Sequence, residues 1–177
     1  MPSDVDPRQM SLFAAAWTVG SLAWLAASAN IHSLTYYETT GWKGLMEEEQ
    51  GASAPRLFHY RPGSVFPAFH ALADVADFQW TNATVSSHPL EVEALALIND
   101  RNQRRILVAN LTEQTQAMKV QTGGGQARVR TLDETNALEA MDRPESFREN
   151  PGELQEAVGG KLKLTLRPFA VARIDLF

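Results

Sequence analysis

Between residues 92 and 174 six short strand-like runs follow one another, 92–98, 105–111, 116–121, 127–132, 161–166 and 169–174, and the alternation of apolar and polar residues is cleanest at 116–121 and 127–132. A period of two marks strands with one buried face. A polar turn from Asn99 to Gln103 joins the first two runs. Gly123-Gly124-Gly125 separates the third from the fourth, and Arg167-Pro168 separates the last two. The spacing therefore predicts three strand pairs, each closed by a local turn. Six such strands imply an antiparallel β-sandwich. The polar stretch 134–158, with Pro144 and Pro151, is predicted as an excursion with a short helix near 135–141.

Before residue 80 the period changes. Asp6-Pro7 is a helix start, because Asp can accept from free N–H groups and Pro at the first helical position loses no hydrogen bond. The predicted helix runs to about Ser28. Met10, Phe13, Trp17 and Trp24 fall on one stripe, while Leu12, Val19, Leu22 and Leu25 make other faces apolar. A helix apolar nearly all round must be buried. Ala14, Ala15, Ala16 and Gly20 allow a neighbour to approach closely. Residues 31–40 then predict a strand, 41–64 a loop, and 66–78 a second helix. The expected fold is mostly β: a C-terminal antiparallel β-sandwich at 81–177, preceded at 1–80 by the last βα elements of a (β/α)8 barrel. Residues 90–177 are expected to be the stable unit, with the first helix either folding onto them or driving self-association.

Composition narrows the functions. The chain of 177 residues has 16 basic and 21 acidic side chains, a net charge of −5, and no basic stripe. No nucleic acid partner is expected. There is no cysteine, and His32, His59, His70 and His88 lack ligand spacing, so neither metal nor cofactor is expected. Residues 11–29 carry no charge, which reaches membrane-spanning length. They are nevertheless rich in Ala, Ser, Thr and Gly, and no positively charged segment precedes them. The expectation is a buried helix, no membrane contact and a cytoplasmic protein.

The segment Tyr36-Tyr37-Glu38-Thr39-Thr40-Gly41-Trp42 concentrates the candidate chemistry. Strand alternation would set Leu34, Tyr36 and Glu38 on one side and Thr35, Tyr37 and Thr39 on the other. A carboxylate beside aromatic rings suits sugar-like ligands: ring faces meet C–H surfaces, and Glu38 accepts hydroxyls or moves a proton. Tyr36, Tyr37 and Trp42 are the candidate binding residues and Glu38 the candidate catalytic one. The bland alternative is a solvated Glu at a strand end with core aromatics. Glycoside hydrolysis needs two facing carboxylates, and only one is placed here. Glu47, Glu48 and Glu49 read as a solvated run. The three glycines lack the residues of a phosphate loop and read as a turn. Asn82 and Asn110 head glycosylation-type triplets, a weak pattern.

At these residues the sequence resembles the D-apionate lactonases and their glycoside-hydrolase-like relatives. The resemblance lies in Asp6 through Thr18, in Leu34-Thr35-Tyr36-Tyr37-Glu38-Thr39-Thr40-Gly41-Trp42-Lys43-Gly44, in Phe66-Pro67 with Leu72-Ala73-Asp74-Val75, and in two sandwich segments, Val108 to Thr112 and Arg167 to Asp175. It implies a parent with a (β/α)8 barrel and a C-terminal sandwich, acting on a branched-sugar lactone in bacterial sugar catabolism. The usual acid and nucleophile of such barrels lie on the fourth and seventh strands, which have no counterpart in this chain. Glu38 would sit on the eighth strand, where ligand binding is as open a role as proton transfer. The resemblance thus implies a hydrolase portion that takes a sugar or sugar lactone in the complete protein and is inactive alone. The alternatives are a carbohydrate-binding or structural sandwich module, favoured by exposed aromatics on a sheet face, and a membrane-anchored sandwich.

Overall fold

The computed structural model describes residues 6–28, 30–51 and 61–177. A 3-10 turn at Pro7–Met10 leads into α1 (Leu12–Ala26). Helix α2 (Pro67–Val75) precedes the strands β1 (Trp80–Asn82), β2 (Val92–Ile98), β3 (Arg104–Asn110), β4 (Gln116–Gln121) and β5 (Gln126–Leu132). Two short helices, α3 (Ala137–Asp142) and α4 (Pro144–Glu149), come before β6 (Glu153–Glu156), β7 (Lys161–Leu166) and β8 (Val171–Leu176).

One antiparallel sheet has the order β1-β2-β3-β8-β5-β6, and β4 and β7 form a second sheet. Their facing side chains, including Ile106, Val108, Val129, Leu162, Leu164, Leu166 and Ile174, make one core. The opposite face of the large sheet is covered too. Leu95, Leu97, Leu107, Ala109 and Val171 pack there against Ala15, Ala16, Val19 and Leu22 of α1, Ala71 of α2, Ala140 of α3 and Phe147 of α4. The molecule therefore has three layers: helices, a six-stranded sheet and a two-stranded sheet. This explains why β3 is buried continuously from Ile106 to Asn110 while β7 alternates strictly. A strand covered on both faces loses its alternation.

Helix α1 meets the large sheet through its small residues. A Cβ on Gly20 would come within 3.2 Å of the Leu111 side chain, so glycine sets the close approach. Helix α1 folds onto the sandwich, one of the two outcomes expected for it. Trp17 and Trp24 stay 48% and 57% exposed on its far side. No helix among the described residues is long and apolar enough to cross a membrane.

Four expectations need correction. The strand pairs expected across Gly123–Gly125 and Arg167-Pro168 do not form. Strand β4 pairs with β7, and β5 pairs with β8 and β6. Both connections cross between sheets: the three glycines have φ of 84°, 114° and 82°, and Phe169 in the second crossing has φ 55°. Local turn chemistry marks where a chain reverses but not which sheet receives it. Strands β1 and β6 were not foreseen, since both are short and largely exposed edges. Residues 31–40 form no strand. Among the described residues, 32–37 find no backbone partner and no strand lies beside them. The 3-10 turn also intervenes before α1, and Asp6 caps that turn by accepting from the Arg8 N–H at 2.9 Å. The expected loop at 41–64 includes residues 52–60, which lie outside the described residues.

Candidate functional site

Tyr36 and Tyr37 are half-buried against α1. The Thr18 hydroxyl donates to the Ala14 carbonyl at 2.6 Å, so the Tyr37 hydroxyl, 2.7 Å away, is the donor to Thr18. By the same reasoning Ser21 donates to the Thr18 carbonyl and accepts from Tyr36 at 2.8 Å. Burial pushes the Tyr37 phenol above its ordinary pKa. The two rings lie 5.7 Å apart, and Trp17 meets Tyr36 edge-on at 6.3 Å. The expected alternation thus fails: φ of 57° at Tyr37 turns both rings toward one helix. Removing the Tyr37 hydroxyl (Tyr37→Phe) should cost about 1 kcal/mol, the ordinary worth of one such bond. Urea melts check this, and an unchanged midpoint would show the bond to be idle.

After Tyr37 the chain folds into a compact loop. The Glu38 N–H donates to the Lys43 carbonyl at 3.0 Å, and the Leu45 and Met46 N–H groups both donate to the Thr39 carbonyl. A Cβ on Gly44 would fall 2.6 Å from the Thr40 backbone, so only glycine closes this loop. Gln9 Nε2 donates to the Gly44 carbonyl at 2.9 Å and ties the loop to the N-terminal turn. Glu38 is exposed, and its carboxylate has no hydrogen-bond or ion-pair partner among the described residues. Trp42 is half-buried on the same loop. The structure therefore brings Tyr36 and Tyr37 together against α1 and leaves Glu38 presented to solvent at the loop entrance. Glu47 departs from expectation. It is 4% exposed, with Oε1 accepting from the Glu48 N–H at 2.9 Å and Oε2 without a hydrogen-bond partner among the described residues. The loop folds under α2 at this point, with Glu47 N–H donating to the Ser64 carbonyl, and only Glu48 and Glu49 remain exposed.

A cleft of about 340 Å³ opens beside Tyr37, lined by Asp6, Arg8, Gln9, Phe13, Ala14 and Trp17. A second charged cluster joins the helices to the sheet. Asp74 of α2 accepts from Arg130 at 2.9 and 3.0 Å, from Arg148 at 3.1 Å and from Arg173 at 3.5 Å. Burial pushes the Arg130 guanidinium below its ordinary pKa, although Asp74 opposes the shift. His70, one turn earlier, places Nε2 3.0 Å from the Ala140 carbonyl and leaves Nδ1 buried without a hydrogen-bond partner among the described residues. No sequence spacing signals this cluster, since its members lie on α2, β5, α4 and β8.

Two family profiles match in chain order. Residues 1–79 match the TIM barrel domain of D-apionate lactonase, and residues 89–174 match its C-terminal immunoglobulin-like domain. The chain belongs to the D-apionate lactonase family. Its fold is shared with solved glycoside hydrolases. A GH30 endoxylanase from Clostridium papyrosolvens is 14% identical with a TM-score of 0.62, over 94% of this chain and 39% of that one. A GH39 β-xylosidase from Caulobacter crescentus is 15% identical with a TM-score of 0.58, over 99% of this chain and 42% of that one. The GH30 xylanase C catalytic domain from Talaromyces cellulolyticus is 11% identical with a TM-score of 0.59, over 92% and 35%. The chain thus spans well under half the length of the hydrolases it matches. No curated protein sequence matches it. At these identities the likeness concerns fold, and the family match rests on the two profiles.

Proposed function

We propose that this chain is the C-terminal portion of a hydrolase that opens a sugar lactone, inactive alone, contributing one wall of the site through the segment Tyr36–Trp42. The observation that carries the reading is the pair of D-apionate lactonase domain matches, one containing that segment and one containing the sandwich. Glu38 supplies a carboxylate where this segment turns into the loop, and in a complete barrel the loops at the C-terminal ends of the strands face the site. Tyr36 and Tyr37, anchored on α1, set where Glu38 emerges. The sandwich braces α1 and α2 from behind. The purified chain should hydrolyse neither D-apionolactone nor an aryl xyloside above the buffer rate. Joined to the preceding barrel portion of a D-apionate lactonase, it should restore lactone opening. In that joined protein Glu38→Gln separates two roles: a fall in kcat of about 100-fold marks proton transfer, and a raised KM alone marks ligand binding. Turnover by the chain alone, or none by the joined protein, sinks the proposal.

A non-catalytic carbohydrate-binding module draws no support from the small sheet. Its exposed positions are Ala117, Lys119, Gln121, Lys161, Lys163 and Thr165, none of them an aromatic platform.

A further inference from the structure

The ion cluster at the joint between α2 and the sandwich contains one polar atom that its members leave unsatisfied. His70 and Asp74 stand one turn apart on the same face of α2. Arg130 reaches them from β5 and Arg173 from β8. His70, Asp74 and Arg130 are buried by this chain alone, so their enclosure is complete without a neighbour. A carbonyl only accepts, so the Ala140 oxygen 3.0 Å from Nε2 fixes the proton there and makes Nδ1 an acceptor. That lone pair is buried with no hydrogen-bond partner among the described residues. Two neighbours have capacity to spare. Asp74 Oδ1 accepts from Arg130, Arg148 and Arg173, whereas Oδ2 accepts, among the described residues, from Arg130 alone. Arg173 commits Nε and Nη2 to Asp175, and its Nη1 reaches Asp74 only at 3.5 Å, the outer limit of a hydrogen bond. A cavity of about 10 Å³ is lined by His70, Asp74, Arg130 and Arg173 and otherwise by apolar side chains.

We infer that this cavity is a binding site for one buried water molecule, held between His70 and Asp74 of α2 and Arg173 of β8. The size allows it, since about 10 Å³ is room for roughly one water. The chemistry selects it. The occupant must donate to His70 Nδ1 and to Asp74 Oδ2, and must accept from Arg173 Nη1. A halide cannot donate. An ammonium ion cannot accept, and the guanidinium groups repel it. Water does both, and about three hydrogen bonds are usual for a buried water. A nitrogen lone pair sealed here with no donor would destabilise the fold, and 3.5 Å between Arg173 and Asp74 is a length at which a bridging water competes with a direct bond. The position gives the water a role. His70 and Asp74 belong to the segment that matches the barrel domain, and Arg130 and Arg173 to the segment that matches the immunoglobulin-like domain. The site joins the two domains through a molecule bonded to each, and it is independent of any role for Glu38.

The test is a crystal structure of the whole chain, grown near neutral pH in sodium bromide, at a resolution that shows ordered water. One peak should lie within hydrogen-bond distance of His70 Nδ1 and the Asp74 carboxylate, with no anomalous signal at the bromine edge. An empty cavity, a peak beyond reach of Nδ1, or an anomalous peak at the site would each overturn the inference. NMR gives a reading free of any lattice. Hε1 of His70, the ring proton beside Nδ1, should receive an Overhauser effect from water, with the sign given by protons that tumble with the protein. The ring nitrogens should show Nε2 protonated and Nδ1 as a hydrogen-bonded acceptor. Absence of the effect, or a proton on Nδ1, would equally sink the site. Ala71 also lines the cavity. Ala71→Val, with folding checked by circular dichroism, should abolish the Overhauser effect, and an effect that persists unchanged would place the water elsewhere.

Discussion

Replacing Asp74 with alanine should destabilise the chain by about 3–5 kcal/mol, the range for removing one partner of a buried ion pair. The carboxylate is 8% exposed and Arg130 4%, so solvent does not screen them. Arg148 and Arg173 approach the same oxygen, and without it three guanidinium groups would face each other. Backbone carbonyls of Phe147, Arg148 and Asn150 hold Arg130 Nη1, and Arg105 donates to the Asp74 carbonyl. These bonds keep the cations in place once the anion has gone, so the repulsion cannot relax cheaply. Asp74→Asn keeps the shape and tests the charge. Chemical denaturation of the three proteins measures the effect, and a loss below 1 kcal/mol for Asp74→Ala would show that the arginines find other partners.

The second large effect is a loss of stability in mild acid. His70 is 1% exposed, lies edge-on to Phe147 at 4.7 Å and is held in the Nε2–H form by the Ala140 carbonyl. Burial lowers its pKa from 6.5 to about 4, and Arg148 and Arg130 add to the shift against Asp74 and the carbonyl. The unfolded chain therefore takes up this proton first as pH falls. The contribution is complete above pH 6.5 and is lost as pH falls through about 4, amounting to about 3 kcal/mol in all. Asp175 acts in a lower window. Its burial raises the pKa, but hydrogen bonds from Arg173 and Arg105 prevail and hold it below 3.8. His70→Gln retains a donor for Ala140 without a titrating ring. Melts between pH 7.5 and 4.5 should show a steep slope for the parent and a shallow one for the variant. Equal slopes would remove His70 as the cause.

Strands β2, β4, β5 and β7 were legible because half-buried strands write their alternation into the sequence, and β3 and β8 because short apolar runs bounded by turns mark strands covered on both faces. The sandwich partners were not, because alternation is the same whichever strand lies alongside. Leu162 and Leu164 look identical whether β7 meets β4 or β8. Residues 31–40 carry the composition of a strand, yet a strand exists only through its neighbours, and here Tyr36 and Tyr37 spend their hydroxyls on α1. Glu47 shows the same limit: three consecutive glutamates look alike in sequence, and only the bridge from Met46 to Val65 decides which one is covered. The candidate segment was visible from its residue types. The Asp74 and His70 cluster was invisible, since its members are separated by up to about a hundred positions and meet only after the sheet has formed.

The central place of β8 sets an order of events in folding. It lies between β3 and β5, pairing Val108 with Ala172 and Val129 with Ile174. Before Val171–Leu176 is available, β1, β2 and β3 form one half-sheet and β5 and β6 another, each with an open hydrogen-bonding edge. Only the β2–β3 hairpin closes through a short loop, and every other long pairing waits on distant residues. Chains of this kind cross their barrier slowly. During synthesis the chain carries two adhesive ribbons until β8 emerges and seals them together, so this interval is where chaperone capture or aggregation would compete.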